Sequence, residues 1–308
     1  MDTPLLIIAW RRPHTLRLVI EAIRPIAPSR LFVACDGPNP ERPEEIVKVA
    51  DTRDVIEKEI NWPCKIEYLY SDANLGCRMG VSRAISWFFD HVEEGIILED
   101  DCVPHPDFFY YCTTLLEFYR DDTRVWCISG NNFQNGLKRG DGSYYFSRYN
   151  HVWGWASWRR SWTHYDHSLL KWPSLRDSGL LSTIFDDPIE RRYWFRIWDT
   201  LFSRGIPDTW DYQWMFTCLI NGGLTACPCS NLIENVGFGR DATHTTGIPI
   251  DTQATEGIDA IIHPSFILRD TTADRYTFDH HFCGKSSRFL SRLARLPKQI
   301  VRTLFGKL

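Results

Sequence analysis

Short apolar runs alternate with stretches of helical spacing over the first 130 residues of the chain. The apolar runs, bounded by turn formers or charged residues, predict five strands at 5–10, 31–35, 66–70, 95–98 and 125–129. Between the first two strands, apolar residues recur every three or four positions, as a helix requires: Leu16, Val19, Ile20 and Ile23. Strands that alternate with helices favour right-handed crossovers and a mostly parallel sheet. We therefore predict an α/β fold with a central sheet flanked by helices.

The pattern changes after residue 130, where strands are harder to identify and aromatic residues are dense. Residues 151–162 hold four of the thirteen tryptophans, and residues 210–214 hold two more. No internal repeat or low-complexity segment separates the two parts. We therefore treat residues 1–283 as one unit, with a first half at about 1–130 and an aromatic-rich second half at about 131–283.

Composition and charge narrow the class of protein. With 308 residues, 44% of them hydrophobic, the chain can bury a large core, which excludes a disordered protein. The ten cysteines show no zinc-binding spacing, so we expect mostly reduced thiols in a cytosolic protein. The first ten residues lack the features of a signal peptide, and no segment is apolar enough to span a membrane. Nothing in the pattern indicates a nucleic-acid partner.

The C-terminal tail, residues 284–308, differs from the rest in charge. It carries seven Lys or Arg and no acid, so the formal charge of −4 divides into +7 for the tail and −11 for the residues before it. Its apolar residues recur at helical spacing between the cations, which predicts an interfacial helix on an anionic membrane surface. Pro297 would interrupt that helix, and docking of the tail on the acidic body is the alternative.

Polar residues follow the ends of the first four predicted strands. In chain order they are Arg11 and Arg12, Asp36 and Gly37, Asn74 and Gly76, and Glu99 to Asp101. Strand ends also meet water, so a polar residue at any one of these positions has an ordinary structural explanation. Together, however, they predict a ligand site at the carboxyl edge of the sheet, where open α/β sheets bind their ligands.

The sequence GIILEDDCVPHPDFF, residues 95–109, places three adjacent carboxylates at the end of an apolar strand. Adjacent carboxylates repel unless a cation neutralises them. Oxygen ligands suit Mg²⁺ or Mn²⁺, which proteins commonly hold through one or two carboxylates together with the phosphates of a substrate. The triplet therefore predicts a metal site for a diphosphate, although a solvated turn also favours Asp and Glu.

Four stretches of the chain resemble the GT-A glycosyltransferases of the N-acetylglucosaminyltransferase I and protein O-mannose N-acetylglucosaminyltransferase type. They are IIAWRRPHTL, LFVACDGP, LEDDCVPHPDFFYY and WDYQWMF, within residues 5 to 245. The resemblance implies a GT-A fold with a nucleotide-binding first half and an acceptor-binding second half. Members of that family sit behind a membrane anchor, which this chain lacks, so it resembles a bacterial cytosolic relative.

The resemblance also implies roles for residues of the first half. It makes Asp101 the metal ligand, with Asp100 and Glu99 contacting ribose and metal-bound water. It makes Asp36 the acceptor of the uracil imide N–H, and it turns Arg12 toward the ribose and phosphates. The segment NLGCRMG places Arg78 where the family has a basic residue over the nucleotide.

In the second half, Asp211 matches the family's general base. The family has two adjacent acids between its tryptophans, whereas here Tyr212 and Gln213 follow Asp211. A sugar hydroxyl needs a carboxylate to deprotonate it near neutral pH, which makes Asp211 a reasonable base on chemical grounds as well. The alternative is that Asp211 caps the helix that follows it.

Two further positions have a functional and a structural interpretation. Trp155, in the segment GWASW, resembles the family's glycine–tryptophan segment beside the donor sugar, and Gly154 before it would allow close backbone approach. Tryptophans at this density are also typical of core packing. His244 lies in the loop GFGRDATHT and could contact metal or phosphate, or remain solvated.

These observations predict a metal-dependent, inverting hexosyl- or N-acetylhexosaminyltransferase of polysaccharide biosynthesis. Its donor would be a nucleoside diphosphate sugar, expected to be a UDP sugar, and its acceptor a hydroxyl of a glycan or a lipid-linked glycan. The expected location is cytoplasmic, including the inner membrane face. Two alternatives remain: a sugar-phosphate nucleotidyltransferase, whose glycine-rich loop after the first strand is replaced here by AWRRPH, and a non-catalytic carbohydrate-binding protein.

Overall fold

The computed structural model of the protein describes residues 1–238, 255–282 and 284–293. The strands are β1 (Leu5–Ala9), β2 (Arg30–Cys35), β3 (Lys65–Tyr70), β4 (Glu94–Glu99), β5 (Cys102–Pro104), β6 (Val125–Ser129), β7 (Tyr144–Ser147), β8 (Trp155–Trp158), β9 (Leu224–Pro228) and β10 (Ile233–Asn235). The helices are α1 (Pro13–Ile23), α2 (Pro43–Glu59), α3 (Gly76–His91), α4 (Pro106–Phe118), α5 (Arg159–Trp162), α6 (Trp172–Ser178), α7 (Leu181–Ile184), α8 (Pro188–Arg204), α9 (Asp211–Ile220), α10 (Thr271–His280) and α11 (Gly284–Leu293). The five predicted strands are confirmed as β1 to β4 and β6.

Eight strands form the central sheet in the order β3-β2-β1-β4-β8-β6-β9-β7. Strands β1 to β4 pair in parallel, whereas β8 runs antiparallel to both β4 and β6, and β7 runs antiparallel to β9. Helices cover the sheet, so the predicted fold class, α/β with a mostly parallel sheet flanked by helices, is confirmed. Because β8 pairs with β4, this sheet joins residues from both sides of position 130.

Strand β1 shows why the apolar runs read as continuous in the sequence. Its residues are buried on both faces: Leu5 and Ile7 pack in the core that includes α1, α2 and α4, whereas Leu6 and Ile8 pack in the core that includes α3. A parallel strand covered on both sides has no solvent face, so it needs no alternation of apolar and polar residues.

A separate aromatic core lies in the second half of the chain. It is built around Trp172, Trp194 and Trp198, with Tyr149 and Phe278 among its other members. All three tryptophans are almost completely buried, and Trp194 stacks on Trp198 with ring centroids 5.4 Å apart. Many aromatic residues of this half therefore pack in a core, which is the structural interpretation of the tryptophan-rich sequence.

The first ten residues of the tail form α11, which contacts α8 and α10. Arg288 forms ion pairs with Asp187, which caps α8, and with Asp279. This part of the tail is thus docked on the acidic body. Residues 294–308, on which the membrane prediction also depends, lie outside the described residues.

The described cysteines are all free thiols. Among the described residues, no helix combines the length and the apolar character needed to span a membrane.

Candidate active site

A cavity of about 650 Å³ lies at the carboxyl edge of β1, β2 and β4, where the sequence predicts a ligand site. This volume falls in the usual range for small-molecule sites. Six of the predicted site residues line it: Arg12, Asp36, Glu99, Asp100, Asp101 and Asp211. Parallel strands bring the first five together because their carboxyl ends meet at one edge, and α9 adds Asp211 from the second half.

The acidic triplet ends β4 and forms the turn into β5. Asp100 is buried, and its Oδ2 accepts a hydrogen bond of 3.1 Å from the backbone N–H of Trp10. Arg12, in the turn after β1, pairs through Nη1 with Asp101 and lies 3.4 Å from Asp100 Oδ1. The turns after the neighbouring strands β1 and β4 therefore hold the Arg12 guanidinium against two of the three carboxylates.

The carboxylates of this turn remain crowded despite Arg12. Burial raises the pKa of Glu99 above its ordinary value, and the nearby charges of Asp101, Asp100 and Asp211 raise it further, while Arg12 opposes them. Burial likewise raises the pKa of Asp100, against the opposing effect of Arg12. Crowding of this kind is relieved by a proton or by an added cation.

The charges that line the cavity are mostly negative. Its described residues include two guanidinium groups and six carboxyl groups, namely Arg12 and Arg83, and Asp36, Glu99, Asp100, Asp101, Asp208 and Asp211. A diphosphate entering this cavity would meet an excess of like charge. Its binding would therefore be favoured by a cation that enters with it.

The donor set fits a hard divalent cation that is held partly by substrate. Within the described part of the chain, no group of three His, Cys, Asp or Glu side chains is arranged to hold a metal by itself. A Mg²⁺ or Mn²⁺ ion bound by Asp101 together with phosphate oxygens needs no such group. Its binding would compete with the Arg12–Asp101 ion pair.

Asp36 follows β2 and also lines the cavity. Its carboxylate accepts hydrogen bonds from the backbone N–H groups of Gly37 (2.9 Å) and Leu75 (3.0 Å) and from Asn74 Nδ2 (3.1 Å). Burial raises its pKa, and the bond from Leu75 is the largest opposing effect. Asp36 therefore ties the segment before α3 to the end of β2.

Asp211 is the first residue of α9, and Trp210 occupies the cap position without a side-chain hydrogen bond. The cap alternative therefore does not describe this helix. The Thr209 hydroxyl donates to the Asp211 carboxylate, which orients it in the cavity wall. Asp211 lies close enough to Glu99 to raise the pKa of that residue, so it belongs to the same electrostatic cluster as the triplet.

Two predicted binding residues lie elsewhere. Arg78 is absent from the described cavity wall, which instead contains Arg83 from the same helix. A Cβ atom placed on Gly205, just after α8, would lie 3.3 Å from the Arg78 guanidinium. Trp155 is completely buried, and its ring stacks on Trp210 with centroids 5.6 Å apart. Both predictions of direct ligand contact are corrected: Arg78 reaches the second half of the protein, and Trp155 is a core residue.

Gly154 separates Trp155 in the core from Trp153 in the cavity wall. Its φ of +61° is in the left-handed region, and an added Cβ would lie 2.7 Å from Ile233 Cγ1. The side chain of Ile233 in β10 therefore occupies the space beside Gly154. This turn presents Trp153, rather than Trp155, to the cavity.

We expect Gly154→Ala to lower the free energy of unfolding by about 2–4 kcal/mol, because left-handed strain and the contact with Ile233 act together. Chemical denaturation measures this loss. Gly179→Ala is a matched control, since Gly179 has a φ of +73° but no atom within 4 Å of an added Cβ. The control should lose only about 1–2 kcal/mol, and equal losses in the two variants would contradict the role given to Ile233.

His244 lies outside the described residues, together with the rest of its loop beyond Phe238. The sequence did not identify several cavity residues of the second half, namely Asn131, Phe133, His151, Trp153, Asp208 and His281. Of these, Asp208 joins the two halves by accepting hydrogen bonds from the backbone N–H groups of Cys77 (2.8 Å) and Arg78 (3.3 Å) at the start of α3. The tryptophan-rich segment was a signal for Trp153 and His151, but spacing alone does not distinguish Trp153 from Trp155.

Comparison with known proteins finds no family model that matches the chain. No curated protein matches it. Among solved structures, it is similar to HddC from Yersinia pseudotuberculosis, with 11% identity over 54% of this chain and 80% of that chain and a TM-score of 0.34. It is also similar to S. aureus TarS 1–349, with 8% identity over 76% of this chain and a TM-score of 0.41, and here it spans 59% of that chain's length. A third likeness is to the inositol-1-phosphate CTP transferase from T. maritima, with 10% identity over 74% of this chain and 85% of that chain and a TM-score of 0.37. Likenesses at this level do not assign the chain to a family.

Proposed function

We propose that the protein is a metal-dependent, inverting glycosyltransferase of the GT-A type that uses a nucleoside diphosphate sugar, specifically a UDP sugar. The observation that carries this proposal is a single cavity holding Asp36, the triplet of residues 99–101 and Asp211. These groups offer an acceptor for a base N–H, oxygen ligands for a cation and a carboxylate for proton abstraction. A metal-dependent, inverting transfer from a UDP sugar would use all three.

Residues of the first half would bind the nucleotide. Asp36 would accept the imide N–H of uracil, since its carboxylate is already oriented by backbone N–H groups. Arg12 would face the ribose and phosphates from the turn after β1. Glu99 and Asp100 would contact the ribose and metal-bound water.

Asp101 would hold Mn²⁺ or Mg²⁺ together with the diphosphate. When bound, such an ion supplies Lewis-acid stabilisation of the charge on the departing nucleoside diphosphate. The composition of the described cavity wall supports this assignment, because its carboxyl groups outnumber its two arginines.

Asp211 would act as the general base. In transfer with inversion, the acceptor hydroxyl attacks the anomeric carbon from the face opposite the leaving diphosphate, and a carboxylate there takes its proton. The hydrogen bond from Thr209 keeps this carboxylate in the cavity wall. The sugar–oxygen bond to the diphosphate breaks as the bond to the acceptor oxygen forms.

The acceptor and the site of action in the cell are further parts of the proposal. We propose a glycan or lipid-linked hydroxyl as acceptor and a cytoplasmic enzyme at the inner membrane face. Although α11 contacts α8 and α10, its Phe289 is exposed, so a membrane-binding surface of the tail would include this residue.

A thermal-shift panel of nucleotides and nucleotide sugars, with and without Mn²⁺, tests the proposal. A ligand that binds only the native state raises the melting temperature. UDP and UDP sugars should raise it, and more so with Mn²⁺ than without it. A protein that responds to no nucleotide would instead be the carbohydrate-binding alternative, and a response to nucleoside triphosphates with sugar phosphates would favour a nucleotidyltransferase.

A further inference from the structure

Two buried polar atoms in the cavity wall have no hydrogen-bond partner among the residues that the structure describes. They are Nδ2 of Asn131 and Nε2 of His151. Their residues are only 2% and 5% exposed, and both line the cavity. Buried polar atoms in folded proteins nearly always have a partner. Of the atoms without a partner, these two belong to residues that line the cavity, so they are available to a ligand that enters it.

The environment of Asn131 fixes which of its atoms is available. The Ser129 hydroxyl lies 3.2 Å from Asn131 Oδ1 and 3.3 Å from the Asn131 backbone oxygen, and its proton is shared between these two acceptors. The amide oxygen is therefore engaged, and Nδ2 remains as a donor for an oxygen atom of the ligand.

His151 is held in position by rings and by its neighbour in the chain. Phe133 packs edge-on against it, with ring centroids 4.6 Å apart. Asn150, oriented so that its hydrogen bonds are satisfied, accepts from the backbone N–H of Met215 in α9 at 3.2 Å. Burial holds the pKa of His151 well below its ordinary value, so the ring is neutral near pH 7. The hydrogen bond between Asn150 and Met215 sets the position of His151 relative to α9, the helix that begins with Asp211.

Aromatic rings pack around His151 in the same wall of the cavity. Phe133 lies 5.3 Å from Trp153 and stacks on His281 at 3.8 Å, and Trp153 lies 5.7 Å from Phe238. All four of these residues line the cavity. Aromatic faces pack against the apolar faces of pyranose rings, and polar atoms between them bind the hydroxyl groups. The combination of aromatic rings and neutral hydrogen-bonding groups fits a sugar better than it fits a phosphate.

The order of the strands gives this cluster its place along the sheet edge. Asp36 follows β2, the triplet follows β4, and Asn131 follows β6, with β1 between the first pair and β8 between the second. Neighbouring strands lie about 4.8 Å apart, so the triplet is about 10 Å from either end of this line. A nucleoside diphosphate sugar that places its base at Asp36 and its diphosphate at the triplet thus extends its sugar toward Asn131 and His151.

We propose that Asn131 Nδ2 and His151 Nε2 hydrogen-bond the transferred sugar of the donor, within a subsite walled by Phe133 and Trp153. This inference rests on the proposed function, and it assigns sugar recognition to residues of the second half. Neither residue needs to take part in proton transfer.

Isothermal titration calorimetry with UDP, UDP-glucose, UDP-galactose and UDP-N-acetylglucosamine, in the presence of Mn²⁺, tests the subsite. The wild-type protein should bind at least one of the three UDP sugars more tightly than it binds UDP. His151→Phe should weaken binding of that sugar about tenfold, the effect of one lost hydrogen bond, and leave UDP binding unchanged. The melting temperature of His151→Phe should not fall, because the phenyl ring has a similar shape and the substitution removes a buried nitrogen that lacks a hydrogen-bond partner. His151→Gln, which returns a polar nitrogen, should recover part of the affinity.

Tyr145→Phe is the control, since Tyr145 is buried but does not line the cavity. It should bind all four compounds as the wild type does. If His151→Phe weakens UDP and the UDP sugar equally, or weakens neither, the subsite is overturned. It is also overturned if the wild type binds UDP but none of the three sugars more tightly. Failure of the wild type to bind UDP at all would overturn the proposed function itself.

Discussion

Asp101→Asn should lower transfer on the order of 10³-fold, because it removes a metal-binding charge whose stabilisation of the leaving group is worth several kcal/mol. The substitution preserves the shape of the side chain. It relieves the crowding that raises the pKa of Glu99 but also removes the ion pair with Arg12, and because these effects oppose each other the melting temperature of the metal-free protein should change little. Turnover of a UDP sugar with Mn²⁺ present and a parallel melting curve measure the two effects.

Asp121→Asn is the control for this variant, since Asp121 is exposed in the loop between α4 and β6. It should keep the full rate. In Asp101→Asn, Mn²⁺ should no longer add to the rise in melting temperature that UDP causes. If the variant turns over at nearly the native rate with Mn²⁺ present, the assignment of Asp101 as the metal ligand is wrong.

Asp211→Asn should lower turnover by about 10²–10⁴-fold, the usual contribution of a general base, while UDP binds as before. A base acts in the transition state and makes no contact with the nucleotide, so kcat and kcat/KM should fall together. The substitution also deprives the Thr209 hydroxyl of a charged acceptor in the first turn of α9, and we expect that loss to have only a small effect on the melting temperature.

Thr209→Val separates the chemical role of Asp211 from its structural one. This variant loses the same hydrogen bond but keeps the carboxylate, so its turnover should be far closer to that of the wild type. If the two variants are slowed to the same extent, the effect arises from the local structure of α9 and the assignment of Asp211 as base fails.

The first half of the fold could be predicted from the sequence because its signals are local. Each strand from β1 to β4 is a short apolar run that ends at a polar residue, and parallel pairing brings those ends to one edge. The acidic triplet is visible for the same reason, since all three of its members lie in one turn. The second half lacks such local signals. Its strand β8 pairs with β4 of the first half, and its apolar residues are divided among several separate cores.

The residues missed in the second half depend on distances that no spacing rule provides. His281 reaches Phe133 from the end of α10, and the lack of a partner for His151 Nε2 exists only in the folded chain. The choice between Trp153 and Trp155 depends on the left-handed turn at Gly154. Arg78 illustrates the opposite error: the resemblance places it over the nucleotide, but its guanidinium lies beside Gly205 at the end of α8.

The central claim, that the cavity transfers sugar from a nucleoside diphosphate sugar, is tested most directly by ³¹P NMR of a UDP sugar incubated with the protein and Mn²⁺. Parallel samples would contain pyrophosphate or a saccharide acceptor, and Asp211→Asn would serve as the inactive reference. We expect the sugar–oxygen bond to break, so UDP should appear, slowly with water as acceptor, and sugar 1-phosphate should not form. Formation of UTP and sugar 1-phosphate when pyrophosphate is added would contradict the account, because that reaction is nucleotidyl transfer.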